Sequence, residues 1–130
     1  MNGIDYLLDT NFILGLLKSA PETLSVLDRQ PIEVHQCAYS AITRMELLGF
    51  PGLGAAEESL IQHRLAQLNH VPIDRAIEDE VIRLRRVHTI KLPDAIIAAT
   101  ALLLDATLLS HDQKLLAVMA AEMPNQTGKT

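Results

Sequence analysis

The sequence predicts an α/β fold built around a mostly parallel β-sheet. Short apolar runs at residues 6–8 and 106–109 are bounded by polar residues, as expected for strands buried on both faces. Between such runs lie longer segments in which apolar residues recur every three or four positions, which is helical spacing. Strands and helices therefore alternate along the chain, and its 130 residues suffice for one domain with a substantial core.

Four strands are predicted, each from a local pattern. The first covers residues 4–8, whose centre is fully apolar. Alternating apolar and polar residues predict the second strand over residues 32–40. Residues 69–73 form a third strand, which we expect at an edge of the sheet because it contains Pro72. The fourth strand covers residues 106–109.

Helices fill the intervals between these strands. Pro21 at a first helical position opens one of them, and Ser40 and Asp74 stand where N-caps are expected. The residues after Asp94 are almost all apolar, which is typical of a helix buried on every side. The predicted helices cover residues 11–18, 21–29, 41–49, 55–68, 75–87 and 94–104, with a short last helix from residue 112.

Composition limits the class of protein. We expect residues 1–122 to form the single domain, and residues 123–130, which are polar with Pro and Gly, to form a flexible tail. The single Cys37 excludes an internal disulfide framework and a cysteine zinc site. No apolar run approaches the roughly 20 residues that cross a bilayer, and the N-terminus lacks the pattern of an export signal. These features predict a cytoplasmic protein with no membrane partner.

Four carboxylates stand where a predicted element begins or ends, and each has a purely structural explanation. Asp9 and Asp112 follow strands and could be helix N-caps. Glu46 follows Thr43 at the spacing of a capping box. Asp94 lies in the first turn of the buried helix, where its charge complements the helix dipole.

Taken together, these acids indicate a functional site and not only helix capping. Parallel topology brings strand ends to one edge of the sheet, which is where α/β proteins bind ligands. Four clustered carboxylates repel one another unless a cation neutralises them, and hard oxygen ligands suit Mg²⁺ or Mn²⁺. Such an ion can activate water and offset charge on a phosphoryl oxygen. The net charge of −5 argues at first against nucleic acid, but outside this pocket the chain would be close to neutral.

Four segments of the chain also resemble the motifs of PIN domains, in the same order. The segments are Leu-Leu-Asp-Thr-Asn at 7–11, Ser-Ala-Ile-Thr-Arg-Met-Glu-Leu at 40–47, Leu-Pro-Asp-Ala-Ile-Ile-Ala-Ala-Thr-Ala at 92–101 and Leu-Leu-Ser-His-Asp at 108–112. The first and third are the specific ones. The chain resembles a VapC-type toxin from residue 4 to about residue 116. Residues 117–130 have little β character, so the family's usual last strand is not evident.

This resemblance implies a three-layer α/β/α sandwich with four to five strands and a metal-dependent endoribonuclease activity. It assigns the Mg²⁺ or Mn²⁺ ion to Asp9, Asp94 and Asp112, directly or through water, and gives Glu46 the role of binding through water or orienting the attacking water. It further implies a homodimer and a cognate antitoxin that inserts into the acidic groove. The polar rim of the pocket would consist of Thr10, Asn11 and Ser110.

A basic segment precedes the third acid and could contact RNA. Arg86 and Lys91 are the predicted phosphate-binding residues within it. A solvated helix face paired with the acids at residues 78–80 is the alternative. His111, beside Asp112, could assist a substrate phosphate or be an exposed loop residue.

Two other functions stay open from the sequence. In a receiver-like or phosphatase-like domain, Asp9 would accept a phosphoryl group covalently, although Asn11 stands where a phosphatase needs a second acid. Alternatively, the chain could be a catalytically silent PIN-like module that only binds a partner. The presence of all four acids disfavours that reading.

Overall fold

The computed structural model describes residues 3–123, and its centre is one four-stranded sheet. The strands lie in the order β3-β2-β1-β4 and every neighbouring pair is parallel. The α/β class with a parallel sheet is therefore confirmed. The strands are β1 (Tyr6–Leu8), β2 (Cys37–Ser40), β3 (Asn69–Val71) and β4 (Thr107–Leu109).

Seven helices connect and cover the strands within the described residues. Their ends agree closely with the capping residues: Ser40 and Asp74 accept backbone N–H groups of the first helical turns that follow them. The helices are α1 (Thr10–Leu17), α2 (Pro21–Asp28), α3 (Ala41–Leu48), α4 (Ala55–Ala66), α5 (Arg75–Val87), α6 (Leu92–Leu104) and α7 (Gln113–Glu122).

Adjacent side chains on each strand point to opposite faces of the sheet and so belong to different cores. Leu7 of β1 packs with buried residues of α5, α6 and α7. Its neighbour Leu8 packs with buried residues of α1, α3 and α4. Two helical layers therefore enclose the sheet, which confirms the predicted three-layer sandwich. The predicted edge position of β3 is also confirmed, because β3 ends the strand order.

The second strand is shorter than predicted. Val34–Gln36 form a 3-10 turn, and only Cys37–Ser40 pair with the sheet. The Gln36 side chain accepts a hydrogen bond from the Glu33 backbone N–H at 2.9 Å and donates one to Asp5 Oδ2 at 2.8 Å. These bonds close a turn that alternation alone cannot distinguish from a strand.

The C-terminal part contains a longer helix than predicted and no further strand. Helix α7 extends over ten residues to Glu122, and no described residue after β4 belongs to the sheet. The predicted tail, residues 123–130, lies outside the described residues except for Met123. No single described helix is long and apolar enough to cross a membrane; α5 and α6 meet that criterion only as a pair, which is bent by 118°.

Gly15 allows α1 and α2 to approach each other closely. A Cβ atom at this position would overlap the hydroxyl of Thr23, which is fully buried. We expect Gly15→Ala to lower the free energy of unfolding by about 2 kcal/mol, because the overlap forces two packed helices apart. In an exposed helix the same change would stabilise by about 1 kcal/mol. Urea denaturation measures the difference.

The control for this prediction is the same change in a Thr23→Ala background, where the obstructing hydroxyl is gone. We expect the cost of Gly15→Ala to shrink there, so that the two substitutions are not additive. A Gly15→Ala protein as stable as the wild type would show that α1 and α2 are not tightly packed at this point.

Candidate active site

Asp9 is positioned by the end of β1 and by the start of α1. Its Oδ1 atom accepts a hydrogen bond from the Phe12 backbone N–H at 2.8 Å, and its own N–H donates to the carbonyl of Leu109 at 3.2 Å. The predicted N-cap is therefore present, and it fixes the carboxylate beside the end of β4. The residue is only 4% exposed.

Asp112 reaches the same edge through the two-residue loop after β4. Its backbone N–H donates to Ser110 Oγ at 3.0 Å, and its Oδ1 accepts from the Leu115 N–H at 3.1 Å. Asp112 thus caps α7 as Asp9 caps α1. Because β1 and β4 are adjacent and parallel, the two caps bring two carboxylates together.

His111 anchors the loop between these elements. Its Nε2 lies 3.0 Å from Thr23 Oγ1, and its ring stacks on Phe12 with centroids 5.3 Å apart at 29°. The residue is exposed, as one of the two sequence readings expected. It nevertheless connects the Ser110–Asp112 loop to both α1 and α2, which sequence spacing did not indicate.

Glu46 is held by a different partner from the one its spacing suggested. Ser40, and not Thr43, caps α3: the Ser40 hydroxyl accepts from the Ile42 N–H at 3.1 Å. The capping box with Thr43 is therefore absent. Instead, the Thr10 hydroxyl donates to Glu46 Oε1 at 2.6 Å and lies 3.0 Å from the Thr43 hydroxyl. This contact orients the Glu46 carboxylate against the start of α1.

The charge of Asp94 interacts with the charges of the other three acids. Burial raises the pKa of Asp9 and nearby Asp112 raises it further, against the lowering effects of hydrogen bonds from Ser110 and the Phe12 N–H and of His111. Burial also raises the pKa of Asp94, followed by the charges of Asp112, Glu46 and, more weakly, Asp9; Lys91 opposes them. The ionised forms of Asp9 and Asp94 are thus disfavoured by burial and by neighbouring carboxylates, as expected for a site that a cation completes.

The donor chemistry of this cluster fits a hard divalent cation, since carboxylate oxygens are what Mg²⁺ and Mn²⁺ prefer. The geometry is looser than a closed metal cage. Among residues 3–123, no three His, Cys, Asp or Glu side chains converge closely enough to hold an ion directly as they stand. Such an ion would need water between itself and the protein, or rotation of the carboxylates, to complete its coordination.

A large groove lies on one side of the acids. Its volume is about 650 Å³ and most of its wall is apolar, with Phe50 and Leu60 exposed at 68% and 54%. Asp94 and Glu46 belong to its wall, so the groove leads to the acidic cluster. The full lining is Thr10, Asn11, Leu14, Leu17, Lys18, Glu46, Leu47, Phe50, Leu53, Glu57, Leu60, Ile61, Asp94 and Ile97.

A second, smaller cleft lies between the starts of α6 and α7. Its volume is about 140 Å³, and Asp94 lines it as well as the groove. Sequence reasoning missed Lys114, whose only signal is its position two residues after Asp112. The cleft is lined by Thr89, Ile90, Lys91, Asp94, Asp112, Lys114, Leu115 and Val118.

The predicted substrate-binding residues are only partly brought together. Thr10 and Asn11 line the groove, and Lys91 lines the small cleft. Ser110 lies in the loop before Asp112. Arg86 is exposed on the last turn of α5 and lines neither cavity.

The rest of the basic segment is partly neutralised within the protein. Arg83 donates to Glu80 at 2.7 Å and to Glu122 at 2.8 Å, and Glu122 is 2.6 Å from His88 Nε2. The Arg83 and His88 contacts hold the pKa of Glu122 below its ordinary value. This network joins α5 to α7, so Arg83 has a structural role, as the alternative interpretation of the basic segment expected.

Residues 6–121 match the model of the PIN domain family. A chain of a toxin–antitoxin complex from Klebsiella pneumoniae is similar at 32% identity and a TM-score of 0.75, over 87% of this chain and 91% of that one. A chain of VapBC-1 from nontypeable Haemophilus influenzae is similar at 25% identity and a TM-score of 0.74, over 91% and 94%.

A third similar structure is FitAcB from Neisseria gonorrhoeae, with 25% identity and a TM-score of 0.71 over 88% of this chain and 92% of that one. No curated protein matches the chain. The match to the family model covers most of the chain and includes all four motif segments. The chain belongs to the PIN domain family.

Proposed function

We propose that this protein is a divalent-metal-dependent endoribonuclease and the toxin of a type II toxin–antitoxin pair that acts in the cytoplasm. PIN domains are generally nucleases, and the similar solved structures are toxin–antitoxin complexes. The observation that carries the proposal is the convergence of four carboxylates at the end of the sheet: Asp9 and Asp112 follow adjacent parallel strands, and Asp94 lines the groove with Glu46 and the small cleft with Asp112. A cluster that is costly without a cation is best explained by a cation that it binds.

In this proposal Asp9, Asp94 and Asp112 hold Mg²⁺ or Mn²⁺, partly through water. The bound ion would supply charge neutralisation at a phosphoryl oxygen and lower the pKa of water. Glu46, oriented by the Thr10 hydroxyl at 2.6 Å, accepts a hydrogen bond from the attacking water.

The RNA strand would be bound around the acids by residues of both cavities. Thr10 and Asn11 are in the groove wall and can donate or accept hydrogen bonds there. Lys91 would contact phosphate in the small cleft, and Ser110 would contribute at the rim. Arg86, outside both cavities, would contact a more distant part of the strand.

Cleavage of a mixed pool of structured RNA tests the activity. The purified wild type is compared in Mn²⁺, in Mg²⁺ and in chelator, together with Asp9→Asn. We expect cleavage that requires both the metal and Asp9. A phosphorylated Asp9 in place of RNA cleavage would favour the receiver-like alternative.

Metal binding is measured separately by calorimetry. Heat of Mn²⁺ binding that disappears in Asp9→Asn would support the metal site even if the pool lacks the right substrate. Neither cleavage nor metal binding would leave the catalytically silent binding module as the better explanation.

We further propose that the large groove receives a segment of the cognate antitoxin. The groove offers an apolar wall that includes the exposed Phe50 and Leu60, and acidic groups in Glu46, Glu57 and Asp94. The complementary occupant is an amphipathic segment with apolar side chains along one face and a basic side chain toward the acids. We also propose a homodimer, which light scattering of the purified chain tests directly.

A further inference from the structure

Two lysines line the small cleft beside the acidic cluster, and the proposed function gives a role to only one of them. Lys91 precedes the first turn of α6, and Lys114 lies in the first turn of α7. Both lysines line the cleft, and both are exposed to solvent. Asp94 and Asp112 complete its polar wall. The cleft therefore adjoins the site of the proposed chemistry.

Neither lysine is paired with a carboxylate at salt-bridge distance among residues 3–123. Arg83 of the same basic surface differs, because Glu80 and Glu122 neutralise it. The charge of Lys91 acts on Asp94, but neither ammonium group is held in an ion pair as the Arg83 guanidinium is, so both can bind an anion from solution. Lys91 and Lys114 are thus available in a way that Arg83 is not.

The size and lining of the cleft select the kind of anion. A volume of about 140 Å³ corresponds to about four or five water molecules, which is room for a phosphate group. Within residues 3–123, no aromatic side chain lines the cleft, so this part of the chain offers no surface there on which a nucleobase could stack. Its chemistry matches the phosphate of a nucleic acid strand and does not match a base.

We propose that Lys91 and Lys114 bind a backbone phosphodiester of the RNA strand next to the one that is cleaved. This inference rests on the proposed nuclease function, because Asp94 and Asp112 link the cleft to the reacting phosphate. The inference adds Lys114 to the proposed substrate-binding residues. It assigns the small cleft to the RNA backbone, whereas the large groove is proposed to receive the antitoxin segment.

Binding and cleavage of RNA are measured for Lys114→Gln, for Lys91→Gln and for the pair. Binding uses labelled, random-sequence single-stranded RNA in an Asp9→Asn background, so that no cleavage occurs. We expect each substitution to weaken binding by up to about fivefold and to reduce the slope of log Kd against log salt by about 0.7. In the cleavage assay KM should rise with little change in kcat. Lys114→Arg should retain most of the affinity.

The matched control is Arg75→Gln. Arg75 lies on the surface of α5 with its side chain 85% exposed, and it lines neither cavity. The Arg75→Gln substitution removes one positive charge, as each lysine substitution does, without changing the cleft. We expect Arg75→Gln to leave the affinity and the salt slope unchanged.

Two outcomes overturn the inference, and a third separates it from the proposed nuclease function. Equal effects of Lys114→Gln and Arg75→Gln would reduce it to general surface charge. Inorganic phosphate that binds in a Lys114-dependent way, with RNA binding unaffected, would make the cleft a site for a free anion. A wild type that binds RNA through these lysines but cleaves none would contradict the nuclease function and leave the phosphate site standing.

Discussion

Asp94→Asn is expected to abolish RNA cleavage while it stabilises the metal-free protein. Asp94 lines both cavities and is the acid most affected by the other three. Removing its charge should reduce kcat by about 100-fold or more, in line with the loss of a pre-positioned charged group from an active site. It also removes the repulsion that the charged cluster suffers when no cation is bound. Loss of activity and gain of stability should therefore occur in the same variant.

The stability gain depends on pH in a defined direction. Burial, then Asp112 and Glu46, raise the pKa of Asp94 in the folded protein above its ordinary value of 3.8. As the pH rises, the carboxyl group therefore loses its proton at a lower pH in the unfolded chain than in the folded protein. The contribution of Asp94 to stability is therefore greatest below pH 3.8 and falls as the pH rises through the raised pKa. Asparagine does not ionise and escapes this loss. Near neutral pH the variant should be more stable by up to about 1 kcal/mol, since the carboxylate is only partly buried.

Urea denaturation with chelator, at acidic and neutral pH, measures this effect. The difference should disappear at the acidic pH, and Mn²⁺ should stabilise the wild type but not the variant. Asp79→Asn is the matched control, because Asp79 is an exposed acid of α5 outside both cavities. It should change neither cleavage nor stability. An Asp94→Asn protein that cleaves RNA normally would exclude Asp94 from the metal site.

Phe50→Asp is expected to weaken antitoxin binding far more than it weakens cleavage. Phe50 follows α3, is 68% exposed and forms part of the apolar wall of the groove. A carboxylate there would have to be buried unpaired against the apolar face of the partner, which is costly. The affinity should fall by about 100-fold or more, as for the loss of a central aromatic anchor. Because the side chain is exposed in the free protein, the fold should be unaffected.

Co-purification of the protein with its co-expressed cognate antitoxin measures this loss, and titration of cleavage by the antitoxin quantifies it. The matched control is Ile82→Asp, which places the same charge on an exposed position of α5, 50% accessible and outside the groove. The control should bind the antitoxin as the wild type does. Unchanged binding by Phe50→Asp would move the antitoxin site away from the groove.

Much of the architecture could be predicted from local patterns in the chain. The apolar run before Asp9 and the run before Ser110 predicted two strands, and Pro72 predicted the edge strand; the pairing of the first two was seen only in the structure. The capping residues marked the helix starts because they satisfy N–H groups that nothing else in the first turn can satisfy. The prediction was wrong where one local sequence pattern is compatible with two different structures. Alternation over residues 32–36 fits a strand, but Gln36 closes a turn through Asp5 and Glu33.

The sequence predicted which residues belong to the candidate site, but not which side chains they contact. Sequence position identified four acids at element ends, and parallel topology explains why those ends meet. The partner of Glu46 could not be identified this way, because Thr10 is 36 residues away and reaches it only in the folded chain. The same holds for His111, whose partner Thr23 lies 88 residues away along the sequence. The roles of these residues in metal and RNA binding stay predictions.

The sequence alone determined the class of the fold, the order of its elements and the four acids, because these depend on periodicity, capping and residue chemistry within short segments. Only the tertiary structure decided which cavities surround those acids. The groove beside Phe50 and the cleft between Lys91 and Lys114 are spaces between elements that are distant in sequence. Such spaces depend on how packed helices fit together, and no local pattern encodes the volume that remains between them.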